Sequence, residues 1–110
     1  MDKQAPAARS PDARIAVVAL NLPLNRTFDY LVPEPMRGKV PVGGRVRVPF
    51  GKRKSVLGYC VELRQESSVP PDRLRPLGRS LDTEPLITPL MLELARWMSS
   101  YYRCSLGEAL

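Results

Sequence analysis

The stretch Gly43–Leu63, GGRVRVPFGKRKSVLGYCVEL, decides how the rest of the chain can fold. Arg45, Val46, Arg47 and Val48 alternate polar and apolar, the period-two pattern of a strand with one buried face, and Val56–Leu63 is a second β-prone run. The two runs read as a β-hairpin whose tip is Phe50-Gly51-Lys52-Arg53-Lys54-Ser55. Gly51 can adopt backbone angles closed to other residues and lets a ligand come close to the main chain, and three cations follow it on an exposed turn. Such a tip suits a phosphate backbone; it would serve equally as a solvated loop.

At 110 residues the chain is long enough to bury a modest core as one compact unit. Its net charge of +6 is unevenly placed: Arg37–Arg79 carries 11 Lys and Arg against Glu62, Glu66 and Asp72, a local excess of +8 that leaves −2 for the remainder. A localised positive field attracts polyanions, nucleic acid first and an anionic membrane second. No apolar run approaches the length of a spanning helix and no signal-peptide pattern opens the sequence, so the expected setting is the cytoplasm, without membrane contact. Cys60 and Cys104 are isolated and histidine is absent, so the usual structural zinc sets cannot be assembled and the commonest general base is missing. There is no phosphate-binding GxxxxGK[ST] loop, no GxSxG elbow and no HExxH pair, so no catalytic centre, metal or cofactor is expected in these residues.

Outward from the hairpin, the chain divides into a tail, a β lobe and a helical part, at residues 1–13, 14–82 and 83–110. The tail is rich in Ala, Pro and charge and poor in large apolar residues, which predicts flexibility. Ile15–Leu20, IAVVAL, is apolar on both faces and predicts a central strand covered on both sides. After a break at Asn21–Asn25, RTFDYLV predicts a strand with Phe28, Tyr30 and Val32 on one face and Thr27, Asp29 and Leu31 on the other. Asp29 is unusual in a strand and stands between two aromatics. A bulge, a strand end or a pairing with Arg26 or Arg47 would explain it, and so would a role as acceptor for a ligand hydroxyl beside an aromatic platform.

Gln65–Asp72 is a surface loop of low expected order, and Leu74–Leu81 an irregular extended segment in which Leu74, Leu77 and Leu81 can pack while Arg73, Arg75 and Arg79 face solvent. Thr88-Pro89 is a helix start, and Leu90, Leu94, Trp97 and Tyr101, widened by Met91 and Met98, form a stripe expected to be buried against the sheet. Ser105–Glu108 fits a capping box just before the last residue, the pattern of a second helix begun and cut, and so of a piece of a longer protein.

The ordered set IAVVALNLPLNRTFDYLVP, GGRVRVPFG, GYCVEL, LDTEP and LARWMSSYYRCSLGEAL resembles the N-terminal DNA-binding domain of the primosomal replication-restart helicases, the PriA (primosomal protein N′) family, over Arg14–Leu110. The resemblance implies a mainly β fold: a small barrel related to a rearranged, circularly permuted OB-fold, followed by an amphipathic helix. It implies recognition of the 3′-hydroxyl end of the nascent leading strand at arrested forks, without base-sequence specificity. By the same resemblance the partners are branched forks with a free 3′ end, other primosome proteins and single-stranded DNA-binding protein, in a bacterial, nucleoid-associated setting. The complete protein of this kind is an ATP-dependent 3′-to-5′ helicase with a zinc-binding part; none of those motifs lies in these residues.

The family's end-binding residues match Phe28, Asp29 and Gly51, while its lysine position falls on Arg75, which keeps the charge on a longer, forked head. A terminal nucleotide offers a base face for Phe28, a sugar hydroxyl for Asp29 and phosphates for Lys52, Arg53 and Lys54, with Arg45 and Arg47 as further supporting cations. The alternative is an SH3-like or KOW-type barrel that binds RNA or the ribosome.

Overall fold

The computed structural model describes residues 13–24, 26–102 and 110. The tail expected over residues 1–13, apart from Ala13, lies outside the described residues, as do Cys104, the expected capping box at Ser105–Glu108 and the side chain of Tyr101. Five strands, β1 (Ile15–Leu20), β2 (Phe28–Leu31), β3 (Arg45–Phe50), β4 (Arg53–Arg64) and β5 (Arg79–Ser80), precede one helix, α1 (Pro89–Tyr102). The strands form one antiparallel sheet in the order β2-β1-β4-β3-β5. All six residues of β1 are buried, as its apolar run requires, because side chains from both faces of the sheet are covered.

One face carries the larger core, in which Val18, Val46, Val48 and Cys60 are fully buried and Tyr30, Val32 and Leu77 nearly so. The other face, with Val17, Ala19 and Val61, packs against Ile87 and Leu92 at the start of the helical part. Cys60 is a small core residue: burial pushes its thiol up to about 12, so it stays protonated, and it donates to the Glu62 carbonyl.

The ladder is open, not the closed barrel expected. β5 has only two residues, and Pro76, lacking an N–H, cannot extend a ladder along the opposite edge. The single segment Arg75–Leu81 nevertheless reaches both edges. At β2 the Leu31 amide donates to the Arg75 carbonyl and the Leu77 amide to the Leu31 carbonyl, each at 2.9 Å. Beside β3 the Gly78 amide donates to the Arg47 carbonyl at 2.8 Å and the Leu81 amide to the Arg45 carbonyl at 2.9 Å. Tyr30 adds a side-chain tie, its hydroxyl donating to the Pro49 carbonyl at 2.7 Å.

The hairpin is tighter than its sequence implies. Phe50 pairs with Arg53, so the turn is Gly51-Lys52 alone, and Arg53 and Lys54, expected on the turn, are exposed residues of β4. Gly51 at φ 58° supplies the left-handed angle that a two-residue hairpin turn needs. Pro49 sits where the register shifts between Val48 and Phe50, a place where its missing donor is tolerated.

The helix start is as read: the Met91 amide donates to the Thr88 hydroxyl at 3.1 Å. The buried face is not. Leu92 and Ala95 are 5% and 4% exposed, whereas Leu90, Met91, Leu94, Trp97 and Met98 are 36–75% exposed. The rotation of α1 is set just before it begins. The amides of Leu86 and Ile87 both donate to the Gly43 carbonyl, at 3.0 and 2.9 Å, while the Gly43 amide donates to the Cys60 carbonyl at 2.7 Å. With Ile87 fixed against the sheet, the small Ala95 and Leu92 follow it inward.

Gly43, at φ 94°, is therefore irreplaceable: a Cβ there would lie 2.1 Å from the Ile87 carbonyl oxygen. Gly43→Ala is expected to cost about 2–4 kcal/mol in urea unfolding, from left-handed strain plus that collision. A second pin joins the end of the edge segment to β3, where Asp82 accepts from the Arg45 amide at 2.8 Å and from its guanidinium at 3.1 and 2.9 Å. These bonds hold the Asp82 carboxyl below its ordinary range, so its contribution to stability is present above the ordinary carboxylate pKa of about 3.9 and is lost as pH falls through the lower folded value. Asp82→Asn should lower Tm at pH 7, and the gap to the unsubstituted chain should shrink in melts recorded below about pH 4.

Candidate nucleic-acid interface

Phe28 and Asp29 are neighbours on β2, and strand alternation sends their side chains to opposite sides of its backbone. Phe28 leans on the core and meets Phe50 edge to face, with ring centroids 5.0 Å apart and planes at 66°. The Arg26 guanidinium carbon stands 4.6 Å from the Phe28 ring centroid, so one ring face carries a cation. Asp29 is partly buried and accepts a hydrogen bond from the Ser67 hydroxyl, which in turn accepts from the Val69 amide at 3.0 Å. No ion pair to Arg26 or Arg47 accounts for Asp29 among the described residues; a loop serine 38 positions away does.

Gly51 comes to the same place from the β3–β4 turn, and Arg75 from the segment bonded to Leu31. The Arg75 guanidinium donates to the Gly51 carbonyl at 3.1 Å. Arg75 also lies near Tyr30: burial pushes the Tyr30 phenol up, and the Arg75 charge opposes that rise. Phe28, Asp29, Gly51 and Arg75 thus line one cleft of about 280 Å³, together with Arg26 and Arg73. Its size is near the low end of small-ligand sites. Its walls offer the aromatic rings of Phe28, Tyr30 and Phe50, one carboxylate and three guanidinium groups.

The family model described as the 3′ DNA-binding domain (3′BD) of PriA matches residues 17–110. The chain belongs to this family. The replication restart protein PriA of Haemophilus influenzae is 39% identical over 97 residues, covering 88% of this chain and 13% of that protein. The PriA proteins of Buchnera aphidicola from Acyrthosiphon pisum and of Bacillus subtilis are each 32% identical, over 86% and 69% of this chain and 12% and 9% of their own lengths. The chain therefore spans about an eighth or less of these relatives.

Within this 3′BD the expected supporting cations separate into groups. Lys52 and Arg53 line a neighbouring groove with Gly51, whereas Arg45, Arg47 and Lys54 line neither cavity. Arg45 is held by Asp82, and Arg47 is exposed opposite Arg79 on the far side of β3. Arg73, expected to face solvent, stays exposed yet forms part of the cleft wall, because the 3-10 turn Pro71–Arg73 brings the chain back beside Asp29. Ser67, Val69 and Phe50 were not singled out from the sequence. Phe50 carried a signal, its place next to Gly51; Ser67 and Val69 carried none, because their loop touches Asp29 only in the folded chain.

Ser67→Ala removes both hydrogen bonds of this relay. The expected cost is about 1 kcal/mol in urea unfolding, with faster hydrogen exchange at the Val69 amide than in the unsubstituted chain, read by NMR.

Proposed function

We propose that this domain holds the 3′-hydroxyl end of the nascent leading strand at an arrested fork and reads the end itself, not the bases before it. The observation that supports this most is the convergence of Phe28, Asp29, Gly51 and Arg75, from three separate parts of the chain, on one cleft. Phe28 gives any base a surface to stack on, worth roughly 1–3 kcal/mol without regard to sequence. Arg26, already on one face of that ring, can extend the stack with its own plane. Ser67 occupies one oxygen of Asp29 and leaves the other to accept from a sugar hydroxyl. Arg75, Arg73 and Arg26 counter the adjoining phosphate, a role that the planar head of Arg75 fills as well as a lysine would.

In this reading the Asp29 carboxylate gives the site its selectivity. It repels every phosphate, so a strand gains from it only where a free hydroxyl stands. The relationship of the sheet to a permuted OB-fold belongs to the same proposal, as do a place as the DNA-binding domain of a complete ATP-driven 3′-to-5′ helicase and partnership with other primosome proteins and single-stranded DNA-binding protein at the nucleoid. The chain itself then acts as a binding module with no chemistry of its own.

Two labelled strands identical except for a 3′-hydroxyl or a 3′-phosphate test the core of this, by fluorescence anisotropy at fixed salt. The hydroxyl end should bind at least about tenfold tighter, the size expected for a hydrogen bond to a charged group. Asp29→Asn should bring the two affinities together. Equal affinities in the unsubstituted chain would overturn the proposal.

A further inference from the structure

Beside the end cleft lies a second groove of about 430 Å³, formed by the Leu22–Leu24 turn, Phe50, Gly51, Lys52 and Arg53. We infer that it is a second nucleotide subsite, and that it takes the nucleotide on the 5′ side of the terminal one in the same strand. This rests on the reading of the first cleft as an end site.

Three observations carry it. Among the described residues the two cavities share Phe50 and Gly51 and no other lining residue, so the turn of the hairpin is the ridge between them. At Gly51 that ridge is bare: a Cβ built there would have nothing within 4 Å, and its φ of 58° disfavours any side chain. A sugar–phosphate backbone can therefore cross over the main chain at this point without meeting a side chain. The crossing is also cationic on both sides. Arg75 is bound to the Gly51 carbonyl on the near side, and Lys52 and Arg53 stand exposed on the far side. A phosphodiester joining a terminal nucleotide to the one before it would pass between these charges.

The groove beyond the ridge has the chemistry of a base platform. Leu22 and Leu24 are partly buried against the core and Pro23 is exposed between them, next to the partly buried Phe50. The Leu24 amide donates to the Leu22 carbonyl at 2.7 Å, which holds this turn tight. An apolar shelf rimmed by two cations fits a base and its phosphate, and among the described residues its lining side chains other than Lys52 and Arg53 are apolar. The shelf thus extends the grip on the strand mainly through stacking and charge.

The test is competition of unlabelled thymidine 5′-monophosphate, the thymidine dinucleotide and the thymidine tetranucleotide, all with free 3′-hydroxyls, against a labelled 3′-hydroxyl strand. The affinity should rise at least about fivefold from the mononucleotide to the dinucleotide, the lower end of one base stack. Pro23→Glu, at an exposed position, and Lys52→Glu should each remove most of that rise. Arg79→Glu, a charge change as large as that of Lys52→Glu but at a residue lining neither cavity, should keep it. The inference is overturned if the rise survives in Pro23→Glu and Lys52→Glu, or if it needs a complementary strand, which would give the groove to that strand. Failure of the end reading looks different: the unsubstituted chain would no longer prefer a 3′-hydroxyl over a 3′-phosphate, whatever the length.

Discussion

Two backbone hydrogen bonds at Leu31, one received from Leu77 and one given to Arg75, hold the cleft end of the molecule together. They dock a segment with no ladder of its own onto the edge of β2, directly after the residues that line the cleft. The same segment is bonded to β3 through Gly78 and Leu81, so it spans the two edges of an open sheet. Without it, β2 would be a four-residue edge strand with unpaired polar groups, and Arg75 would have no fixed position. With it, Leu77 is delivered into the core at 3% exposure and Arg75 is left pointing at the Gly51 carbonyl.

Stability and site therefore share parts. Tyr30 is a core residue whose hydroxyl ties β2 to Pro49, one residue before Phe50. Phe28 is pressed between that core and solvent, with Phe50 against its edge and Arg26 over its face. A ring packed in this way has little side-chain freedom left. Asp29 is restrained in the same way, by a serine whose own position is set through the Val69 amide.

Charge is distributed by the same logic. Arg45 is neutralised by Asp82 and serves the fold, whereas Arg26, Arg73 and Arg75 gather at the cleft and Lys52 and Arg53 at the groove beside it. The positive charge is thus one part structural pin and one part lining of two neighbouring cavities. The large apolar residues of α1 are set apart from both, exposed on a helix whose inward face is small.

Membership of the PriA 3′BD family, the β1 core strand, the hairpin and the Thr88 cap were all legible in the sequence, whereas Phe28, Asp29, Gly51 and Arg75, which line one cleft, were singled out as a set only through the family resemblance. Local rules carry these readings: apolar runs mark buried strands, Thr-Pro marks a helix start, and a short ordered motif set survives at 39% identity. The open sheet edge, the tight turn that moved Arg53 and Lys54 into β4, and the hydrogen bond from Ser67 to Asp29 became visible only in the tertiary structure. So did the inward face of α1, because both of its sides carry apolar residues and the periodicity favours the bulkier one. The hydrogen bonds from Leu86 and Ile87 to Gly43 choose the other, and a contact between residues more than forty positions apart leaves no trace in the spacing of either.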